Sequence, residues 1–329
     1  MKKLCALSLT ILVLVLCYSF IGNKRPKSPL SFSGKPTNKV QLGEMLFFES
    51  KLSASKQLSC ASCHIPECGF ADTVAFSKGI DGRFGKRNAP SCTNLTGRPY
   101  LFFDGRAATI EEQVKFPIED PNEMGIPIGD VVKRLNKDRE YTTLFKAIFN
   151  EPPTEENLKI AIAAFERTLE TSHTPFDRYM ADDSTAISAS AIRGRELFMG
   201  SKAKCFDCHF SPDFTGDEFR NIGLYDGVKF TDEGRAAISK DKNDLGKFKV
   251  PGLRNVAITA PYMHNGMFKT LRQVIDHYDD PYKAVPHPVN IDTLLQKPLH
   301  LTEMEKQDLE NFLLTLTDDR FVKQGSAKP

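Results

Sequence analysis

Two five-residue segments constrain this chain of 329 residues more than anything else in it: Cys60-Ala61-Ser62-Cys63-His64 and Cys205-Phe206-Asp207-Cys208-His209. Each reads C-x-x-C-H. Two thiols at that spacing can each add to one vinyl group of a haem, and the adjacent imidazole then lies under the ring to ligate the iron; this is the attachment signature of c-type haem. A zinc site is the competing reading. It needs four ligands from two close pairs, which would use Cys60, Cys63, Cys205 and Cys208 and leave both histidines unexplained. The length suits about two domains, and the motif positions fit one haem in each.

Composition excludes more than it identifies. Apolar content of 40% and charged content of 26% are ordinary for a globular protein. A net charge of +2 gives no reason to expect nucleic acid or strong membrane attraction. Residues 1–22 are a targeting segment, with Lys2 and Lys3 ahead of an apolar run from Leu4 to Ile21. A secretory signal is the natural reading. No clear A-x-A cleavage site follows and the run is almost long enough to span a bilayer, so an uncleaved N-terminal anchor is the second reading. Either places the rest of the chain in the periplasm, soluble or tethered to the membrane. Residues 23–37 are rich in Pro, Ser and Lys and read as a flexible tether. Cys68 and Cys92 are left as a disulfide or as two buried free thiols.

Gly43-Glu44-Met45-Leu46-Phe47-Phe48 precedes the first motif and Gly194-Arg195-Glu196-Leu197-Phe198-Met199 the second, a weak internal repeat. It divides the chain into domains at 38–180 and 188–322, with the polar stretch 181–188 between them. Leu158, Ile162, Phe165 and Leu169 recur at helical spacing, as do Tyr141, Leu144, Phe145 and Ile148. Thr302 and Glu305 have capping-box spacing, and Met304, Phe312, Leu313 and Leu316 supply the stripe of a closing helix. Strand signals are scarce, and the expected class is all-α.

Axial ligands decide what a haem can do. His64 and His209 supply one each. No histidine follows His64 until His173, so the first haem is expected to keep an open position, and an open iron can bind a small oxidant. The second has downstream candidates in Met263, His264, Met267, His277 and Tyr278.

Further segments carry a resemblance: Lys86-Arg87-Asn88-Ala89-Pro90-Ser91, Phe103-Asp104-Gly105-Arg106-Ala107, Glu111-Glu112-Gln113, Glu123-Met124-Gly125, Gly246-Lys247-Phe248-Lys249-Val250-Pro251 and Pro261-Tyr262-Met263-His264-Asn265-Gly266. With the repeat and the two motifs, they resemble the bacterial di-haem cytochrome c peroxidase family, which includes the MauG-type enzymes, from about residue 38 to about 320. The resemblance implies two cytochrome c-like haem domains packed across an interface. The first haem would be peroxidatic, with His64 proximal. The second would store electrons, with His209 proximal. A calcium ion between them would be held by the Asn88 side chain and the carbonyls of Thr259 and Pro261, with waters completing the shell. Gln113 and Glu123 map to the distal acid–base pair: a carboxylate can move a proton between the peroxide oxygens, and an amide can orient the peroxide.

Three departures sharpen this. No distal histidine lies between Ile65 and Ser172, so the diferric first haem is expected to be open without prior reduction. Tyr278 stands where typical peroxidases carry a Met ligand, as in MauG-type enzymes, and tyrosinate favours ferric iron; His277 and the methionines are its rivals. Phe103 stands where the family commonly has Trp, and Phe is a poor hopping station for a hole. The expected activity is reduction of hydrogen peroxide to water with electrons from a small cytochrome c or cupredoxin. The alternatives are a MauG-like oxidase acting on a protein or organic substrate, and a non-catalytic electron-transfer cytochrome. A homodimer is left open.

Overall fold

The computed structural model describes residues 34–322; the segment 1–22, most of the tether and the tail from Lys323 lie outside the described residues. Helices dominate: α1 (Lys39–Phe47), α2 (Ile110–Glu119), α3 (Ile128–Asn136), α4 (Arg139–Phe149), α5 (Glu155–Glu166), α6 (Pro175–Met180), α7 (Ala189–Met199), α8 (Ala236–Ser239), α9 (Leu271–Asp279) and α10 (Glu303–Leu314). Among the described residues, sheet is confined to one antiparallel ribbon, β1 (Phe219–Arg220) on β2 (Phe248–Lys249). The expected all-α class is therefore helix-rich with one minimal ribbon. No helix of the described residues is long and apolar enough to cross a membrane.

Local sequence sets the helix ends. Thr154 with Asn157, Thr270 with Gln273 and Thr302 with Glu305 form reciprocal capping boxes ahead of α5, α9 and α10, each satisfying two N–H groups that the first turn leaves orphaned. Tyr141, Leu144 and Phe145 of α4 and Leu158, Ile162 and Phe165 of α5 are buried, as their spacing requires, and Leu169 is buried just beyond the end of α5. Met304 departs from expectation: it is 68% exposed. Eight residues before Phe312, it lies about 80° around the helix from that ring, off the stripe formed by Leu309, Phe312, Leu313 and Leu316.

Two apolar cores are built the same way. In the first, Gly43 of α1 lies so close to α5 that a Cβ would sit 1.8 Å from the Ala161 carbonyl oxygen; in the second, Gly194 of α7 meets the Asp308 carbonyl oxygen of α10 at 1.9 Å. One turn after each glycine a phenylalanine enters the core. Phe47 packs edge-on against Phe70 and Phe165, with centroids 5.8 and 5.2 Å away. Phe198 packs against Phe214 and Phe312 at 5.9 and 5.2 Å. Edge-to-face geometry at these distances adds to the gain from area burial.

The repeat reaches further than the sequence reveals. Asn94 and Asn255 both adopt left-handed backbone, φ 57° and 63°. Their N–H groups donate to the carbonyls of Leu169 and Leu316, each at 2.9 Å. Their side-chain oxygens accept from the N–H of Thr171 at 3.2 Å and of Asp318 at 2.9 Å.

The halves are interlocked. Phe176 of α6 packs on Phe214 and Phe312, at 5.3 and 5.8 Å, while Phe321 packs on Phe70 at 6.0 Å. Each core thus holds a ring from the far side of the 181–188 stretch. Arginines span the seam: Arg87 makes two 2.7 Å bonds to Asp232 and one of 2.6 Å to Asp104, Arg98 binds Asp213 and Asp217, and Arg254 makes a fork of two 3.0 Å bonds to Asp177. Bidentate pairs of this kind fix orientation as well as energy.

The helix crossings give a testable contrast. Gly43→Ala forces a methyl group into the α5 backbone and should cost at least about 1–3 kcal/mol, whereas Gly129→Ala, with nothing within 4 Å of the added carbon, should be neutral or stabilising by up to about 1 kcal/mol. Urea denaturation of the two variants checks this; equal stabilities would contradict the packing.

Candidate active site

A buried imidazole can place one proton, and in both motifs a backbone carbonyl takes it. His64 Nδ1 lies 3.0 Å from the Phe70 carbonyl oxygen and His209 Nδ1 2.8 Å from that of Phe214. A carbonyl can only accept, so Nδ1 carries the hydrogen and Nε2 keeps its lone pair for a metal. Burial holds both rings below the ordinary histidine range, the carbonyl contacts opposing it, so both are neutral. The backbones of Pro90 and Pro251 stand in the same hydrogen-bonding relation to the two rings and also oppose the lowering. The motif cysteines are unpaired thiols held protonated by burial, Cys63 and Cys208 at about 11 and Cys205 at about 12. Cys92 is a free thiol, so no disulfide joins it to Cys68.

In the second half, Cys205, Cys208 and His209 open onto a cavity of about 310 Å³ that Tyr278 also lines. Burial, then the nearby thiols of Cys208 and Cys205, raises the Tyr278 phenol above its ordinary value; a metal cation facing it would reverse that sign. Its rivals separate. His277 turns away: its Nε2 donates to the Ile222 carbonyl at 2.9 Å and Phe268 packs against the ring. Met267 Sδ accepts from Asn265 at 3.7 Å. Met263 and His264 border the cavity, but His264 is stacked flat on Phe248 at 3.8 Å. Arg220 and Lys249 on the lining are already paired, Arg220 with Glu218 and Asp292 and Lys249 with Asp217. The neutral donor histidine, the paired thiols and the enclosed cavity fit a covalent haem.

On the first half's other side, Gln113 lies on α2 and Glu123 in the turn that follows. The turn folds back on the helix through Met124 N–H to the Pro117 carbonyl at 3.1 Å and Ile126 N–H to that of Ile118 at 2.9 Å. The Glu123 carbonyl accepts from Ile80 at 2.9 Å, and a Cβ on Gly79 would meet the Asn122 carbonyl oxygen at 1.9 Å; only glycine lets that loop dock so closely. The Glu123 side chain is half-buried, and its carboxyl makes no hydrogen bond among the described residues. Burial, then Asp120, raises its carboxyl above the ordinary range, and Arg106 opposes this. Glu123 in turn raises the Cys63 thiol, which places it on the side of the first motif.

Phe103 borders the cavity and its carbonyl accepts from Lys249 N–H at 2.7 Å. Asn88, Thr259 and Pro261 border the same cavity. The Asn88 amide donates to the Val74 carbonyl at 3.0 Å, leaving its oxygen available. The expected calcium ligands are hard oxygens only, and no group of three or more His, Cys, Asp or Glu among the described residues could hold a metal ion.

A family model described as di-haem cytochrome c peroxidase matches residues 37–185. The methylamine utilization protein MauG of Methylorubrum extorquens is 37% identical over 299 residues, covering 89% of this chain and 82% of that protein. This chain belongs to the di-haem cytochrome c peroxidase family. The cytochrome c551 peroxidase of Pseudomonas aeruginosa is 35% identical, over 76% of this chain and 75% of its own. Among solved structures, a MauG-like protein associated with microbial copper homeostasis superposes with a TM-score of 0.80 at 32% identity, covering 93% of this chain and 97% of that one. The diheme peroxidase BthA of Burkholderia thailandensis gives 0.76 at 25% identity, over 92% and 93%. A di-haem peroxidase family member carries two haem c groups, matching the two motifs.

Glu166, at the end of α5, was missed in the sequence because it looks like one more surface acid beside Arg167. It is buried, and its Oε2 has no partner. Burial pushes its carboxyl up to about 8, Arg167 opposing and Glu111 adding. A folded-state value above the unfolded one means stability that is full below about pH 4.5 and declines until about pH 8, as the unfolded chain ionises and the folded one does not. Glu166→Gln should therefore gain stability over the parent chain across that window, by at most about 1.4 kcal/mol per pH unit. Thermal melts from pH 4 to 8 measure this, and parallel curves would count against the buried neutral acid.

Proposed function

We propose that this chain is a di-haem c-type peroxidase that reduces hydrogen peroxide to water with electrons from a small redox protein, a cytochrome c or a cupredoxin. The observation that carries the reading is Glu123: a half-buried carboxyl with a raised pKa, on the side of the motif after which no histidine follows until His173. Cys60, Cys63 and His64 would hold one haem, and Cys205, Cys208, His209 and Tyr278 the other. When bound, the haems supply redox-active iron that accepts electrons and binds peroxide.

The side chains supply proton handling and position. Glu123 takes the proton of the inner peroxide oxygen and returns it to the outer one, so that the outer oxygen leaves as water. A carboxyl whose pKa is lifted toward neutrality both accepts and releases that proton efficiently. The Gln113 amide orients the peroxide by hydrogen bonding. Two electrons and two protons per peroxide yield two waters. Phe103 fills the space between the halves and is too hard to oxidise to hold a hole. Asn88, Thr259 and Pro261 are the proposed calcium ligands. A secretory signal or anchor at 1–22, outside the described residues, would place the reaction in the periplasm.

The second reading, an oxidase like the MauG proteins, is favoured by Tyr278 at the cavity and by the identity to MauG. Peroxide consumption with a reduced cytochrome separates the two. Glu123→Gln should lower turnover by about 10²–10⁴-fold with both haems retained; undiminished turnover would remove Glu123 from the reaction, and no turnover with any donor in the parent protein would favour the oxidase. Tyr278→Phe should change the second haem's EPR signal and raise its potential, since the anionic oxygen that favours ferric iron is lost. An unaltered spectrum and potential would assign that position to another residue.

A further inference from the structure

The two halves repeat the same contacts at matching positions, which shows where they part. Pro90-Ser91-Cys92-Thr93-Asn94 and Pro251-Gly252-Leu253-Arg254-Asn255 are held in register by the paired left-handed asparagines. In that register Cys92 stands where the second half has Leu253. Likewise Phe165 and Phe312 align, so the buried acid Glu166 stands where the second half has Leu313. At these two positions the second half carries hydrocarbon, whereas the first carries a thiol and a carboxyl.

The thiol touches the ring. Cys92 is buried, and its Sγ lies 3.1 Å from His64 Nδ1, the atom that also faces the Phe70 carbonyl oxygen at 3.0 Å. With Nε2 committed to a metal, Nδ1 bears the hydrogen, so the sulfur can only accept. A thiol sulfur is a weak acceptor. Resting on the reading of His64 as haem ligand, we propose that Cys92 is a positioning residue for the peroxidatic centre: its sulfur is a second acceptor for the His64 Nδ1–H, making that imidazole more strongly donating than His209, which has no such sulfur.

The chemistry follows from how second partners tune a ligand. An acceptor on the distant nitrogen pulls its proton outward, raises the basicity of the ligating nitrogen and thereby favours the oxidised states of the iron. This is what a centre that must give electrons to peroxide needs, and what an electron store does not.

Three variants of the haem-loaded protein test it: Cys92→Leu, which copies the second half, Cys92→Ser, which keeps an acceptor of similar size, and Leu253→Cys, the reciprocal change. The readouts are the midpoint potential of each haem by spectroelectrochemistry and the iron–histidine stretch of the ferrous protein by resonance Raman. Cys92→Leu should raise the potential of the first haem alone and lower its iron–histidine frequency. Cys92→Ser should keep both at the parent values or move them the opposite way, and Leu253→Cys should lower the potential of the second haem alone. A first-haem potential and stretch unchanged in Cys92→Leu, or shifted equally in Leu and Ser, would overturn the proposal and leave Cys92 as packing. Should Cys92→Leu fail to load haem, Cys92→Ser and Leu253→Cys decide by the same criteria. The ligand reading itself is checked separately: a His64→Gly protein that keeps the parent spectrum of the first haem refutes that reading, whatever the Cys92 variants show.

Discussion

The single hydrogen on each motif imidazole, and the carbonyl that takes it, is the contact on which the two sites depend. If Nε2 bore that hydrogen, the ring would offer the pocket a donor and no lone pair. The carbonyls of Phe70 and Phe214 prevent this only because those residues are themselves immobile. Their rings are clasped between Phe47 and Phe165 in one half and Phe198 and Phe312 in the other. Those pairs in turn meet because Gly43 and Gly194 let two helices cross at backbone contact. A helix crossing is thus transmitted through three rings to the protonation of one nitrogen.

Much of this was legible in the sequence, and the reason is local chemistry. C-x-x-C-H announces itself because spacing alone carries its meaning. The capping box at Thr302 and Glu305 and the stripe through Tyr141, Leu144 and Phe145 are visible because a helix couples positions three and four apart. What was hidden depends on pairing between distant segments. Asn94 and Asn255 look like ordinary loop asparagines until Leu169 and Leu316 are seen to accept their N–H groups. Glu166 reads as a surface acid until the fold buries it. Met304 was placed in the core because it is apolar, although its angle on the helix takes it to solvent. The disulfide at Cys68 and Cys92 was one of two readings because sequence gives no distance.

The halves share a frame and differ in what lines it. Tyr278 borders one cavity, while the other half sets the half-buried Glu123 carboxyl on the side of its motif. The same scaffold, used twice, carries different tasks because the differences fall on side chains that the frame does not need for its own packing. The polar seam serves both: Arg87, Arg98 and Arg254 bind carboxylates on the opposite half, and forks of this geometry set register more than they add stability.

The exchange of Phe176 and Phe321 has a consequence for how such a chain comes into being. A gene severed at the polar stretch 181–188 would yield an N-terminal piece without Phe321 against Phe70, and a C-terminal piece without Phe176 against Phe214 and Phe312. Neither fragment could close its own core. The ancestral unit, if it stood alone as a single cytochrome, must have completed its aromatic cluster with a ring of its own. The exchanged rings make the two halves one folding unit.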